Sequence, residues 1–395
     1  MPGSDRPLRA IRRYLCSAQR DHAVRWAHLA GVGPVRALEE KLRRHYGTRF
    51  ALAMSNATTA LLACALALDL RDSEFVTTPF TYGATLAPFL LLGNRPLFAD
   101  IDPDTMTLDP GSVRRKISRK TRAIVAVDVF GLPSDTRALR DLADDLGLPY
   151  IGDAAQSLGA FIDGLPASGR AHVLVTSFTA GKPLFAGEGG ALLTDLEDVY
   201  KKAILWTQHP HRQKRELALD SYNEFALNGR PHPLGAAWAD VVFHESLQEL
   251  TRYRTECFRL LRAAESTGLL DPLTREWRKR RILPAFTRVV ARWATRPDPD
   301  RLVTALYAGG YRTTVAPCPL KLVYQQRSFT ALYSHLAHGP VRCPAAERTV
   351  PRLLCLSPDR PGSHLPPRRD SDGSRRRAAV SGTSTRPSSA RGSGP

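Results

Sequence analysis

Val173-Leu174-Val175-Thr176-Ser177-Phe178-Thr179-Ala180-Gly181-Lys182 leads through Pro183-Leu184-Phe185-Ala186 into Gly187-Glu188-Gly189-Gly190. The first part is a short apolar run bounded by small and hydroxylated residues, which reads as a buried strand over 172–178. The glycines announce a turn in which backbone can come close to a ligand, and a second strand is expected at 190–194. Most lysines are solvated surface charges, and Lys182 alone would count as one of them. Its place between a buried-type strand and a glycine-rich turn argues for a desolvated amine. Such an amine has a lowered pKa and can form a Schiff base with a carbonyl.

Outward from this stretch, short apolar runs at 49–54, 74–78, 96–101, 123–129 and 148–152 read as further strands. Helix-like segments fall between them at 57–69, 82–92 and 135–146, and an amphipathic helix is expected at 35–48. This alternation predicts an α/β fold with a mostly parallel sheet covered by helices on both faces. Ligands of such sheets sit at the carboxyl ends of the strands. From Glu245 the pattern changes to a long helix over 245–266, a strand at 285–292 and a helix at 299–309. The organisation expected is therefore a helical lead-in over 1–30, a large α/β domain over 31–244 and a smaller domain over 245–358. The Arg/Ser/Gly/Pro stretch 359–395 has almost no apolar content and is expected to be disordered.

A hydrophobic share of 43% with 24% charged residues is that of an ordinary globular protein. No apolar run approaches the ~18 residues of a membrane span, and no secretory signal follows the basic N-terminus. A cytoplasmic protein without membrane association is expected. Six scattered cysteines with no C-x-x-C pair suggest neither a disulfide framework nor a zinc site, so no metal is expected. The net charge is +18, of which the eight arginines and three aspartates of 359–395 contribute +5. A basic body can steer anionic substrates, although a merely solvated basic surface explains it as well.

Two further segments carry chemistry. Ile151-Gly152-Asp153-Ala154-Ala155-Gln156 places an acid at a strand end. Such an acid often only caps the following helix; it can also pair with a protonated pyridine nitrogen and keep that ring an electron sink. Asp153 and Lys182 are one crossover and one strand apart, so both can reach a single crevice. Ser55-Asn56-Ala57-Thr58-Thr59-Ala60-Leu61 sets hydroxyls at a helix start, where free N–H groups suit a phosphate. Alone it would read as an ordinary N-cap.

Together these segments resemble the sugar aminotransferases of the DegT/DnrJ/StrS type, members of the fold-type I pyridoxal-phosphate enzymes. The resemblance runs from about Gly31 to Pro358. It includes Pro79-Phe80-Thr81-Tyr82, Phe98-Ala99-Asp100-Ile101-Asp102, Val129-Phe130-Gly131, Asn228-Gly229-Arg230 and Cys343-Pro344-Ala345-Ala346-Glu347. It implies a large domain with a mostly parallel sheet plus a smaller α+β C-terminal domain, and pyridoxal 5'-phosphate as cofactor. Lys182 would carry the Schiff base and shuttle a proton, and Asp153 would hold the pyridinium. Gln156 would lie near the phenolic oxygen, and Tyr82 would stack on the ring. Thr58, Thr59 and Ser177 would bind the phosphate. Asn228 would reach the cofactor of the neighbouring subunit of a homodimer. Arg230 is a candidate for a substrate phosphate, as readily explained by a surface ion pair, and Glu188 either orients substrate or caps its loop.

The activity implied is transfer of an amino group from glutamate or glutamine to a nucleotide-linked keto sugar or a keto-cyclitol, in secondary-metabolite or polysaccharide biosynthesis. A dehydratase on the same cofactor ranks second, disfavoured because dehydrating relatives replace the lysine. A DNA-binding regulator ranks third, for want of any helix-turn-helix or zinc-finger spacing; no nucleic-acid partner is expected. An inactive homologue ranks last. This sequence has Ala57 where the family usually has Gly, and Asp128 and Thr179 where it often has His. Its Leu356-Ser357-Pro358 segment runs into the Arg/Ser/Pro stretch where relatives continue with an apolar helix.

Overall fold

The computed structural model describes residues 5–219, 225–336 and 341–358. Its centre is a seven-stranded sheet in the order Phe50–Met54, Gly190–Thr194, Val173–Ser177, Tyr150–Asp153, Thr121–Val127, Glu74–Thr77, Arg95–Phe98. Five neighbouring strands run parallel, and Gly190–Thr194 is antiparallel to both of its neighbours. Six strands therefore point one way, and their carboxyl ends form one edge. The expected α/β sheet is present, with each strand close to its expected place.

The central strands are mostly apolar rather than alternating, as in sheets buried on both faces. Tyr150–Asp153, Val173–Ser177 and Gly190–Thr194 are buried at every position. The helix Ala57–Ala67, built of alanine, leucine and cysteine after Thr58 and Thr59, lies in the main core with Leu52, Met54, Phe75 and Phe89. The N-terminal stretch is helical as expected, over Arg6–Arg20 and His22–Ala27. The next helix, Pro34–Tyr46, packs Val35, Leu38, Leu42 and Tyr46 into a second cluster with Leu174, Leu193 and Phe243.

The long helix begins earlier than expected. It spans Pro233–Ser266 and so crosses the boundary drawn at Glu245. Pro233 sits in its first turn, where a missing N–H costs nothing, and the His232 side chain accepts from Leu234 N at 3.3 Å. Read along the chain, that proline and Gly235 look like helix breakers.

The C-terminal part carries a three-stranded antiparallel sheet in the order Val289–Arg292, Leu353–Pro358, Thr313–Pro317. The expected strand at 285–292 is shorter, because its first half bonds elsewhere. Ala285 N donates to Gly131 O at 2.9 Å and Thr287 N donates to Phe130 O at 3.1 Å. This tethers the small sheet to the carboxyl edge of the large one. The Arg/Ser/Pro stretch expected to be disordered, 359–395, lies outside the described residues. Among the described residues, no helix is long and apolar enough to cross a membrane.

Candidate active site

The carboxyl edge of the large sheet gathers the chemistry. Met54, Asp153 and Ser177 all end strands there, and Gly190 starts one. Ser177 pairs with Gly190, and Gly190 pairs with Met54, so three adjacent strands present their ends in one row.

Lys182 follows directly. Its loop is closed at the base, where Phe178 N donates to Gly189 O at 2.9 Å and Ala186 N donates to Phe178 O at 2.8 Å. Gly189 has φ of 148°, and a Cβ there would lie 2.9 Å from the Phe178 ring. Only glycine closes the loop so tightly. Thr179 Oγ1 donates to Glu188 Oε1 at 3.1 Å and ties the two limbs together; both Thr179 and Glu188 are thus committed to loop geometry. Lys182 itself is half-buried. Desolvation holds its amine below the usual lysine range, with Asp153 opposing that shift and Arg288 adding to it.

Asp153 is buried at the end of its strand. Its Oδ2 accepts from Thr85 Oγ1 at 2.7 Å and its Oδ1 accepts from Ala155 N at 3.0 Å. Burial pushes its carboxyl up, while Thr85, Ala155 and Lys182 pull it down. Each oxygen has a lone pair to spare after these bonds, so the carboxylate can still accept from a cationic N–H. Thr85 in turn accepts from Thr81 Oγ1 at 3.0 Å.

The anion cradle lies at the start of Ala57–Ala67. Asn56, not either threonine, is the N-cap, and its side chain accepts from Thr59 N at 2.7 Å. The N–H groups of Ala57 and Thr58 precede the helical ladder and have no partner within it. Thr58 is exposed, and Thr59 Oγ1 accepts from Ser55 Oγ at 3.1 Å. Gly190 leaves the cradle open: a Cβ there would lie 2.5 Å from Ala57 N. Ala57, where the family usually has glycine, falls inside the helix, a conformation in which a methyl group costs nothing.

Gln156 is held rather than free. Its Oε1 accepts from Phe130 N at 3.1 Å and from Thr287 Oγ1 at 3.2 Å. Tyr82 precedes the helix Gly83–Leu91 at the same edge and is 66% exposed. Asn228 is exposed, and its Oδ1 accepts from the Arg230 guanidinium. Gly229 between them accepts from Ser55 N at 2.7 Å, so this loop lies on the cradle of its own chain. Asp128 is buried and enclosed: Ser134 N, Ser157 Oγ and Ser168 Oγ donate to its carboxylate at 2.7, 2.8 and 2.7 Å. Its backbone N donates to Asp153 O at 3.1 Å, which makes it a support for the strand end that carries Asp153.

Reasoning from sequence missed Asn56, Thr85, Thr287 and Arg288. Thr85 and Thr287 act through partners far away along the chain, Asp153 and Gln156, which no local pattern announces. Among the described residues, no group of three or more His, Cys, Asp or Glu is placed to hold a metal ion.

A family model described as the DegT/DnrJ/EryC1/StrS aminotransferase family matches residues 23–360. The chain belongs to this family. Its members use pyridoxal phosphate, and the residues described above fit that group: an amine for its carbonyl carbon, a buried acid for its ring nitrogen and a helix start for its phosphate. Over 171 residues the chain is 38% identical to the UDP-2-acetamido-2-deoxy-3-oxo-D-glucuronate aminotransferase of Pseudomonas aeruginosa, covering 42% of this chain and 48% of that one. The chain thus spans about half the length of the curated relatives it matches. The structure is similar to that of an aminotransferase from Psychrobacter cryohalolentis, with a TM-score of 0.75 at 24% identity over 90% of this chain and 92% of the other. It is also similar to DesI in the presence of its TDP-sugar product, with a TM-score of 0.67 at 28% identity over 89% and 84%.

Proposed function

We propose that this chain is an aminotransferase moving an amino group from glutamate or glutamine onto a ketone of a nucleotide-linked sugar or a cyclitol. The reading is carried by the placement of Lys182 and Asp153 at the same carboxyl edge of the sheet. A desolvated amine and a buried acid act on one another there, beside a helix start open to phosphate.

Bound pyridoxal phosphate supplies the electron sink that makes a substrate Cα–H acidic. The chain's own residues do the rest. The cradle of Ala57, Thr58, Thr59 and Ser177 holds the phosphate and fixes the position of the ring. Asp153, whose ionised form the bonds from Thr85 and Ala155 favour against burial, would hold a proton on the ring nitrogen. Lys182 would hold the carbonyl carbon and, when free, would serve as the base that moves a proton at the substrate carbon. Desolvation, which holds its amine below the usual lysine range, favours the neutral form that acts as a base. Gln156 would lie near the ring edge, and Tyr82 would cover one face.

The acceptor class rests on the relatives, whose names point to nucleotide sugars, and on a basic chain suited to a phosphorylated substrate. The proposal includes a homodimer in which Asn228 serves the neighbouring subunit's cofactor; its exposure is consistent with that role. Single-turnover absorbance of the holoenzyme tests the reading. L-glutamate or L-glutamine should convert the visible band, and an added keto sugar should restore it. A stable band unresponsive to any amino acid would count against transamination.

A further inference from the structure

Arg288 occupies a position that the roles above leave without a task. It directly precedes the strand Val289–Arg292 and follows Thr287, which is bonded to Phe130 O and to Gln156 Oε1. Those bonds fix this piece of the small sheet against the carboxyl edge of the large one. Alternation places Arg288 on the same face as Val290, whose partner across the sheet is Cys355. The charge of Arg288 reaches the Cys355 and Cys318 thiols on that face, and it reaches Lys182. Arg288, next to Thr287 and its bonds to Phe130 O and Gln156, is thus held at the carboxyl edge that carries Asp153 and Lys182.

Three other arginines of the C-terminal part, Arg280, Arg292 and Arg352, are matched. Arg292 pairs with Asp271 and Asp104, Arg280 with Asp102, and Arg352 with Asp271. Arg288 is exposed, with no hydrogen bond or ion pair to any described residue. With Asp153 engaged by a ring nitrogen, no acid among the described residues pairs with it. A planar fork of N–H donors beside the reacting amine suits a carboxylate.

On the strength of the aminotransferase reading above, we propose that Arg288 binds the carboxylate of the amino-acid donor and so presents the donor's nitrogen to the carbon held by Lys182. The donor then spans the cleft between the two sheets, with its acid on the small one.

The test compares two amine reagents on the holoenzyme, aminooxyacetate and O-methylhydroxylamine. Both combine with the bound cofactor, which absorbance reports, and only the first has a carboxylate. Wild-type protein should favour aminooxyacetate. Arg288→Gln should lose that preference by about 10- to 100-fold, the worth of a charge-assisted pair, and should react with O-methylhydroxylamine as before. Arg288→Lys should recover part of it. The KM for L-glutamate should rise in Arg288→Gln by a similar factor, with kcat changed far less. An unchanged preference in Arg288→Gln would overturn the proposal. A lost preference with an unchanged KM for L-glutamate would overturn its assignment to the donor. No spectral response of wild-type protein to either reagent would instead defeat the aminotransferase reading itself.

Discussion

Thr85 donates its hydroxyl to Asp153 Oδ2 at 2.7 Å, across 68 positions of sequence. Its helix, Gly83–Leu91, is otherwise apolar, so a hydroxyl there has one evident use. The bond favours the ionised carboxylate that burial opposes. Removing it in Thr85→Val should push the Asp153 carboxyl further up and weaken its hold on a ring proton. A hydrogen bond to a charged group contributes about 1.5–3 kcal/mol, so turnover should fall on the order of 10-fold or more. Cofactor affinity should change little, because the phosphate contacts survive, and Thr85→Ser should restore most of the rate. Titrating the cofactor and measuring kcat side by side checks both halves.

Gly190→Ala should damage cofactor binding rather than folding. The added methyl would lie 2.5 Å from Ala57 N and 2.6 Å from Asn56 C, inside the cradle. Relief requires moving the start of the helix, and with it the N–H groups that face phosphate. The Kd for pyridoxal phosphate should rise at least about 10-fold, the price of one lost charge-assisted bond. Inorganic phosphate protection against heat should vanish in the variant and persist in the wild type.

Asp128 makes stability depend on pH in a definite sense. Desolvation pushes its carboxyl up to about 6, against the bonds from Ser134, Ser168 and Ser157. Between roughly pH 4 and 6 the folded state binds this proton more readily than the unfolded state does. The Asp128 contribution therefore falls as pH rises through that window, by an order of about 2–3 kcal/mol. Asp128→Asn should be close to the wild type near pH 4 and relatively more stable at pH 7. Denaturant midpoints at a series of pH values check this. A wild-type-to-variant difference constant with pH would refute it.

Glu39 and Arg212 form a buried bidentate pair at 2.8 and 3.0 Å, and Ala53 N donates to Glu39 at 2.8 Å. The pair ties the helices Pro34–Tyr46 and Pro210–Leu217 to the strand Phe50–Met54. Burial pushes the Glu39 carboxyl up, and the guanidinium pulls it down. Glu39→Ala leaves Arg212 buried with only Glu216 to balance it, and should cost about 3–5 kcal/mol. Replacing both residues by apolar ones of similar volume should cost less than the single change. Chemical denaturation of the two variants beside the wild type decides it.

The large sheet was legible in the sequence because its strands are buried on both faces and appear as unbroken apolar runs. Lys182 and Asp153 were legible because they stand where such runs stop. Thr85 was not, since its surroundings in Gly83–Leu91 read as plain core. Asn56 was overlooked beside two threonines that look equally able to cap. The start of Pro233–Ser266 was hidden because a proline in the first turn reads like one that breaks a helix. Arg288 was invisible for a different reason. Its neighbours are Lys182, Cys318 and Cys355, and only the pairing of three distant strands brings them together.

Borohydride reduction of the holoenzyme, followed by peptide mapping, tests the central claim most directly. The account predicts one covalently fixed cofactor, on the peptide containing Lys182, and none in Lys182→Ala, which should keep its fold because the side chain is only half-buried. Cofactor fixed on a different lysine, or visible absorbance retained in Lys182→Ala, would contradict it.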